Sequence, residues 1–260
     1  LASAGRWYPP HLAPGAPPPQ APPPATLVPG PSVSRTLTQA TQIVLGFVGG
    51  VQLLVVVGAL LARSAFSDAW KGPWDVAAWN DAVAADDRLA SMEGFSFIAQ
   101  IGAIVLLIVW MWRAYGAGDR LGPGDRKLSK GWTIASWLIP FANLVMPRMV
   151  LSDIERVARA PRDGGKVTLA WRATKTLPVG QLAWVLIVAG AVSSRVAGQM
   201  MATAVEDFDA AGAEDAYMVG ALGYGALALG LLLAIPLIGR IGRRVTEESL
   251  LVSEPQSPTG

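Results

Sequence analysis

The chain has no cysteine, and His11 is its only histidine. These absences exclude zinc fingers, thiolate metal sites, haem attachment and thiol redox centres, because each needs cysteine or several histidine ligands. They also exclude catalysis by Cys–His or Ser–His–Asp arrangements. No acid–base pair with a definable geometry stands out either. We therefore expect no metal, no cofactor and no enzymatic activity. A nucleic-acid partner is not expected either.

Charged residues are scarce as well: they make up 15% of the 260 residues, whereas 52% are hydrophobic. This composition is too apolar for an ordinary soluble domain. Four runs of 18 or more residues contain no Asp, Glu, Lys or Arg, and about 20 helical residues cross ~30 Å of hydrocarbon. They are residues 43–61, 95–112, 177–194 and 218–238. We predict an all-α fold, a polytopic membrane helical bundle with four transmembrane helices. Ion-coupled transport is not expected, because it usually requires ionisable groups at membrane depth.

Proline is concentrated at the start of the chain, where residues 1–32 hold eleven of the twenty, in runs such as "APPPQAPPPA". Such a segment favours solvated polyproline II and buries no core. We predict a disordered cytoplasmic tail over residues 1–35, a transmembrane helical domain over 36–245 and a disordered tail over 246–260. The first tail is either a passive spacer or a docking arm for a protein partner. It contains no apolar signal-peptide core.

The loops between the four runs differ in charge. Residues 113–130 carry five cations and two acids, residues 148–175 seven and three, residues 62–94 three and six, and residues 195–217 one and five. Loops rich in Lys and Arg stay on the cytoplasmic side. The pattern therefore predicts a multi-pass protein of the plasma membrane with both termini cytoplasmic. Trp70, Trp74 and Trp79 of one acidic loop are expected to anchor at the outer interface.

A further apolar segment, "GWTIASWLIPFANLVMPRM" at residues 131–149, is interrupted by Pro140, Asn143 and Pro147. Basic loops flank it on both sides, so a full crossing would place one of them on the outer face. Prolines also leave backbone carbonyls unpaired, which is tolerated only where protein, water or headgroups satisfy them. We predict a re-entrant or interfacial segment instead of a fifth span.

The chain becomes amphipathic from Pro147 onward. Val150, Ile154 and Val157 repeat at helical spacing, and the charged residues between them fall on the other face. This pattern predicts a helix that lies on the inner leaflet and ends near Pro161. The basic residues expected to face anionic lipid are Arg113, Arg148, Arg156 and Arg159.

Few polar groups lie at membrane depth. Gln52, Gln100 and Asn143 could bond neighbouring helices together or line a ligand cavity, and both interpretations stay open. Gly46 and Gly50 form a GxxxG pair, which permits close helix packing. That packing is either intramolecular or a homodimer contact.

Residues 109–159 resemble a known family. The stretch "VWMWRAYGAGDRLGPGDRKLSKGWTIASWLIPFANLVMPRMVLSDIERVAR" is similar to the bacterial membrane family of domain of unknown function 4328, in which a basic loop precedes a pattern close to G-W-x-x-x-x-W-x-x-P-x-x-N-L-x-x-P and an amphipathic helix. Gly116 stands where that family commonly has Asn. The resemblance implies a multi-pass membrane protein without an established activity. It also marks a candidate binding or structural element: Trp132, Trp137, Pro140, Asn143 and Pro147.

The sequence leaves two functions open. The first is a non-enzymatic interaction or scaffold protein, whose proline-rich tail recruits a protein partner and whose basic cytoplasmic surface contacts anionic lipid. The alternative is a lipid- or small-molecule-binding protein, or an uncoupled transporter. In that case we expect a polar site near the broken segment, formed by Asn143 with Gln52 and Gln100.

Overall fold

The computed structural model describes residues 2–3, 6–7, 33–73, 75–123, 126–163 and 166–251. The chain divides into residues 1–30 and residues 31–260. In the first unit, the two-residue strands β1 (Ala2–Ser3) and β2 (Arg6–Trp7) pair antiparallel. The proline runs and residues 252–260 lie outside the described residues, so the disorder of the two tails stays a prediction.

The described part of the chain contains six helices. They are α1 (Arg35–Lys71), α2 (Val76–Asp119), α3 (Trp132–Leu138), α4 (Met146–Arg159), α5 (Pro178–Glu206) and α6 (Ala210–Leu251). Four of them, α1, α2, α5 and α6, are long and apolar enough to cross a membrane. The predicted all-α bundle with four spanning helices is confirmed, although α6 continues beyond the boundary at residue 245. Short 3-10 helices (Ala142–Leu144 and Leu169–Ala173) and a two-strand pair, β3 (Arg162–Asp163) with β4 (Lys166–Val167), complete the connections.

Local chemistry determines where the long helices begin. The Ser34 hydroxyl caps α1 by accepting a hydrogen bond from the Leu37 N–H at 3.0 Å, and the Asp75 carboxylate caps α2 by accepting one from the Ala77 N–H at 2.9 Å. Pro178 opens α5, where its missing N–H costs nothing and its fixed φ suits the first turn. Short connections make α1–α2 and α5–α6 antiparallel hairpins.

The four long helices form a row in the order α2, α1, α6, α5. Helix α1 packs against both α2 and α6, and α6 packs against α5, so α2 and α5 are the edge helices. We call the end with the tight turns at residues 72–75 and 207–209 the hairpin end. The opposite end, where α1 and α5 begin and α2 ends, is the tail end. Helices α3 and α4 lie at the tail end, against α2 and α6.

Glycines set the close approach of α5 to α6. A Cβ placed on Gly190 would lie 2.6 Å from the Gly223 carbonyl oxygen, and one on Gly230 would lie 2.8 Å from the Ala183 carbonyl oxygen. Such distances allow no side chain, so the small residues bring the two backbones together. Gly46 of the predicted GxxxG pair faces Ile235, whereas a Cβ on Gly50 would meet nothing within 4 Å. The dimer contact through Gly46 and Gly50 stays a prediction.

The broken segment does not cross the bundle. Helix α3 has seven residues and is therefore about 10 Å long, far short of ~30 Å of hydrocarbon. After it, the chain turns through Phe141 and the 3-10 helix before α4 begins with proline in its first turn. The prediction that residues 131–149 are not a fifth span is confirmed.

Helix α4 is amphipathic as predicted, but its apolar face is covered by protein. Val150 and Ile154 are buried in the tail-end core with Trp110 of α2 and Ile241 of α6. The Trp110 indole N–H donates to the Thr38 hydroxyl oxygen at 3.2 Å, which ties α2 to α1 at this level. Helices α2 and α6 thus supply the apolar surface that lipid was expected to supply, and the position of this helix at the inner leaflet stays a prediction.

Candidate functional site

The candidate element from the family resemblance is held against α5. The rings of Trp137 and Trp184 make a T-shaped contact with centroids 6.1 Å apart, and the Trp184 indole N–H donates to the Leu144 carbonyl oxygen at 2.7 Å. This bond satisfies one carbonyl of the broken segment, as a chain interrupted by proline requires. Trp132 is half-buried against the tail-end core, Pro147 is buried in α4, and both Pro140 and Asn143 are exposed.

The tip of the broken segment is apolar and exposed. Phe141 is 86% exposed and Leu138 is 74% exposed. Phe141 has φ 62°, and the Ala142 N–H bonds the Pro140 carbonyl oxygen at 2.7 Å, which is a γ-turn of the rare positive-φ form. The apolar tip is thus exposed in a backbone conformation that non-glycine residues rarely adopt.

The predicted polar cavity does not form. The Gln52 and Gln100 side-chain amides both donate to the Ser96 hydroxyl oxygen, at 2.6 and 3.1 Å. Gln52 is fully buried about 26 Å along α1 from its start, whereas Asn143 lies beside the second turn of α5, about 9 Å from that helix's start. Gln52 therefore joins α1 to α2, Gln100 bonds within α2, and Asn143 is not part of their cluster.

Helix α4 carries a buried charge cluster instead. Glu155 is fully buried and accepts a hydrogen bond from the Leu177 N–H at 2.5 Å, next to the start of α5. Its carboxylate lies 3.6 Å from the Arg148 guanidinium and 3.5 Å from that of Arg159. A carboxylate is favourable at a helix N-terminus, where backbone N–H groups carry partial positive charge. Glu155 thus fixes α4 to α5.

Arg148 does not face lipid, and that prediction is wrong. Its side chain is only 6% exposed, and a Cβ on Gly180 would lie 3.0 Å from its Nη2 atom. Burial lowers the pKa of the Arg148 guanidinium from its ordinary value, although Glu155 opposes the change. The physical reason is that the polar face of α4 packs onto the first turn of α5, so Arg148 reaches Glu155 and no headgroup.

The remaining basic residues are more accessible. Arg113 is exposed, and Arg156 and Arg159 are partly exposed but already paired with Asp153 and Glu155. Burial raises the pKa of the Asp153 carboxyl, and Arg156 opposes this. A cavity of about 280 Å³ at the tail end brings Arg159 together with two arginines of α6, Arg240 and Arg244.

The hairpin end holds a site that the sequence analysis missed. Phe66 and Trp70 of α1, Trp79 of α2 and Tyr217 of α6 form what we call the aromatic box. The Phe66 ring stacks on Trp70 at 6.2 Å, meets Trp79 edge-on at 6.0 Å and contacts Tyr217 at 6.2 Å, and Trp70 meets Trp79 at 5.8 Å. The box lines a cavity of about 610 Å³, and residues of both edge helices, α2 and α5, also line it.

Two tyrosine–carboxylate pairs continue from the box toward the tail end. The Tyr217 hydroxyl donates to Asp86 at 2.8 Å, and the Tyr224 hydroxyl donates to Glu93 at 2.7 Å. They line a second cavity of about 270 Å³, which shares Asp86, Tyr217 and Met201 with the first. We call the two cavities together the cleft.

A weak signal of this cleft exists in the sequence. Asp86 and Glu93 are seven residues apart, and so are Tyr217 and Tyr224, which places each pair on one face of its helix. Trp70 and Trp79 were predicted to anchor at the membrane–water interface, because tryptophan is enriched there. Their convergence with Tyr217 depends on the pairing of α1 with α6, and Trp74 lies outside the described residues.

Comparison with known proteins identifies the family. The sequence model described as Domain of unknown function (DUF4328) matches residues 76–243, from the first residue of α2 into α6. Searches of curated proteins and of solved structures give no match. Since the match covers more than half of the chain and four helices can cross a membrane, the chain is a multi-pass membrane protein that belongs to the DUF4328 family.

Proposed function

We propose that this protein is a non-enzymatic membrane protein that binds an amphipathic small molecule or lipid in the hairpin-end cleft. The aromatic box carries the proposal, because four rings from three helices line a cavity of about 610 Å³ without filling it. Ligand sites are typically concave and largely apolar, with a few placed polar groups. Here Asp86 and Tyr217 are such groups.

The rim of the cavity supports the same function. Val83 and Val205 line it from the two edge helices and are 59% and 65% exposed. Phe208 lines it from the turn between α5 and α6, with φ 54° and 84% of its surface exposed. Exposed apolar side chains around an open cavity favour entry from the membrane–water interface.

The test compares two valine-to-tryptophan variants on α5. Val205→Trp fills the mouth of the cavity, whereas Val192→Trp adds the same side chain at a position that is 50% exposed and lies outside the cavity lining. Each protein is purified in native-lipid particles, and the small molecules it retains are identified by mass spectrometry. We expect one compound in wild type and Val192→Trp that is depleted in Val205→Trp. Equal retention by all three proteins would refute binding in the cleft.

A second candidate is the interaction or scaffold role, with the tail end facing the cytoplasm. The exposed arginines Arg240, Arg243 and Arg244 support it, together with the cavity that Arg240 and Arg244 border near Arg159. Such a surface attracts anionic lipid, and residues 1–32 would recruit a protein partner. Deleting residues 1–32 should remove that partner without changing thermal stability. A partner retained by residues 33–260 would contradict the docking role.

A further inference from the structure

We propose that the ligand of the cleft is an organic cation with an apolar body, an inference that rests on the proposed function. The positive group would lie against Asp86 in the cavity lining, and the apolar body would lie across the aromatic box. The cavity has a mainly apolar lining with two carboxylates, Asp86 beside Tyr217 and Asp209 at the turn before α6. The only charged side chains in this lining are acidic, so it suits an organic cation with an apolar body.

The ring arrangement fits a cation. Cations are attracted to the faces of aromatic rings within about 6 Å, and several rings around one space recognise quaternary ammonium groups. In the box, the Phe66 and Trp70 rings are nearly parallel, with an interplanar angle of 12°, while Trp79 is steeply inclined to both. The box therefore offers ring faces in two orientations around the cavity.

Asp86 is available for an added positive charge. Tyr217 donates one hydrogen bond to Asp86 Oδ1, and in the described part of the chain Asp86 forms no ion pair. The two cations on the neighbouring face of α1, Arg63 and Lys71, are both engaged by Glu214 of α6, at 3.4 and 2.7 Å. A ligand cation therefore meets a carboxylate whose charge is not already balanced by a side chain.

The surroundings of the cleft carry the same sign of charge. Glu93 lies seven residues beyond Asp86 on α2, about 10 Å deeper in the cleft, and holds its own tyrosine. The loops of the hairpin end are acidic, with three cations against six acids in residues 62–94 and one against five in residues 195–217. A field of one sign around a cleft concentrates oppositely charged ligands.

The experiment uses the full chain in lipid nanodiscs and two probes that differ in charge. The cationic probe is radiolabelled tetraphenylphosphonium, and the neutral probe is triphenylphosphine oxide. Binding is measured by scintillation proximity or equilibrium dialysis, with empty nanodiscs as the partition background. The key variant is Asp86→Asn, which keeps an acceptor for the Tyr217 hydroxyl. Its control is Asp87→Asn, an exposed neighbour that removes the same charge outside the cleft.

We expect Asp86→Asn to weaken tetraphenylphosphonium binding by about 3–10-fold while Asp87→Asn binds like wild type. Triphenylphosphine oxide should bind more weakly and equally to all three. Equal cation binding by the two asparagine variants overturns the inference. If both probes bind with the same affinity and only Val205→Trp lowers their binding, the cleft binds neutral molecules. The inference then fails and the proposed function stands. If Val205→Trp changes neither probe's binding nor the retained compounds, both fail.

Discussion

Phe208 is held in the left-handed region of backbone conformation at the turn between α5 and α6, with φ 54°. A non-glycine residue there costs on the order of 1–2 kcal/mol. The ring is 84% exposed, so its packing repays little of that cost, yet it forms part of the cavity rim. The position is understandable if the ring contacts a ligand that the cleft holds.

Replacing Phe208 by Asn should therefore raise stability and weaken binding together. Asn tolerates the left-handed conformation, and about 1 kcal/mol of relief corresponds to a rise in Tm of about 2–4 °C. Binding in the cleft should fall, because one apolar wall is lost. Thermal unfolding in detergent and probe binding in nanodiscs provide the two readouts. Phe208→Leu keeps an apolar side chain in the same strain and should gain no stability. A lower Tm for Phe208→Asn would show that the ring packs in the fold.

Glu155 and Arg148 should be mutually dependent. Glu155→Gln keeps an acceptor for the Leu177 N–H but leaves the Arg148 guanidinium buried beside Gly180 without a counter-charge. Breaking a buried pair in this way costs about 3–5 kcal/mol, whereas replacing both members by apolar or neutral groups costs much less. Glu155→Gln should lower the Tm strongly, and Arg148→Met added to it should restore most of the loss. Glu206→Gln, an exposed carboxylate at the end of α5, is the control. Additive losses in the double variant would contradict a coupled pair.

At the scale of elements, hydrophobic run lengths predicted the four long helices, and Pro140 with Pro147 predicted the break between α3 and α4. Both features depend on the chemistry of neighbouring residues, which can be read directly from the sequence. The burial of Arg148 and Glu155 could not be predicted in this way, because the same charges on an amphipathic helix suit a solvated face equally well. Contacts with the start of α5 and with α6 bury them. The aromatic box was missed for the same reason, since Tyr217 of α6 is far in sequence from Phe66, Trp70 and Trp79.

The packing of α5 against α6 should be sensitive to side-chain volume at Gly190, whereas Gly198 of the same helix should tolerate a larger side chain. Gly190→Val would place a branched side chain 2.6 Å from the Gly223 carbonyl oxygen, so the helices must separate. Gly198 lies on the same helix, and a Cβ there meets nothing within 4 Å. Both substitutions change helix propensity equally. We expect Gly190→Val to lower the Tm well below that of Gly198→Val. Similar values for the two variants would mean that this close approach is not needed.

At the scale of the whole molecule, the long helices exceed the membrane. Helix α2 has 44 residues and is about 66 Å long, roughly twice the ~30 Å hydrocarbon core. Asp86 lies nine residues before the apolar run that starts at Phe95, about 14 Å along the helix. We therefore expect the aromatic box at the level of headgroups and water, where an amphipathic cation concentrates. The tail end carries the basic loops and the buried charge cluster.

This asymmetry predicts which end faces the cytoplasm. Because basic loops are retained inside, the tail end should be cytoplasmic and the cleft should open outward. The chain has no cysteine, so a single introduced cysteine can be labelled without background from native thiols. Asp81→Cys labels the hairpin end and Arg120→Cys the tail end, and both positions are exposed. On intact cells, an impermeant maleimide should label Asp81→Cys at once and Arg120→Cys only after permeabilisation. The reverse pattern would invert the protein and place the cleft inside. The apolar run from 95 to 112 predicts that α2 crosses the membrane. Labelling of both positions on intact cells would contradict that crossing.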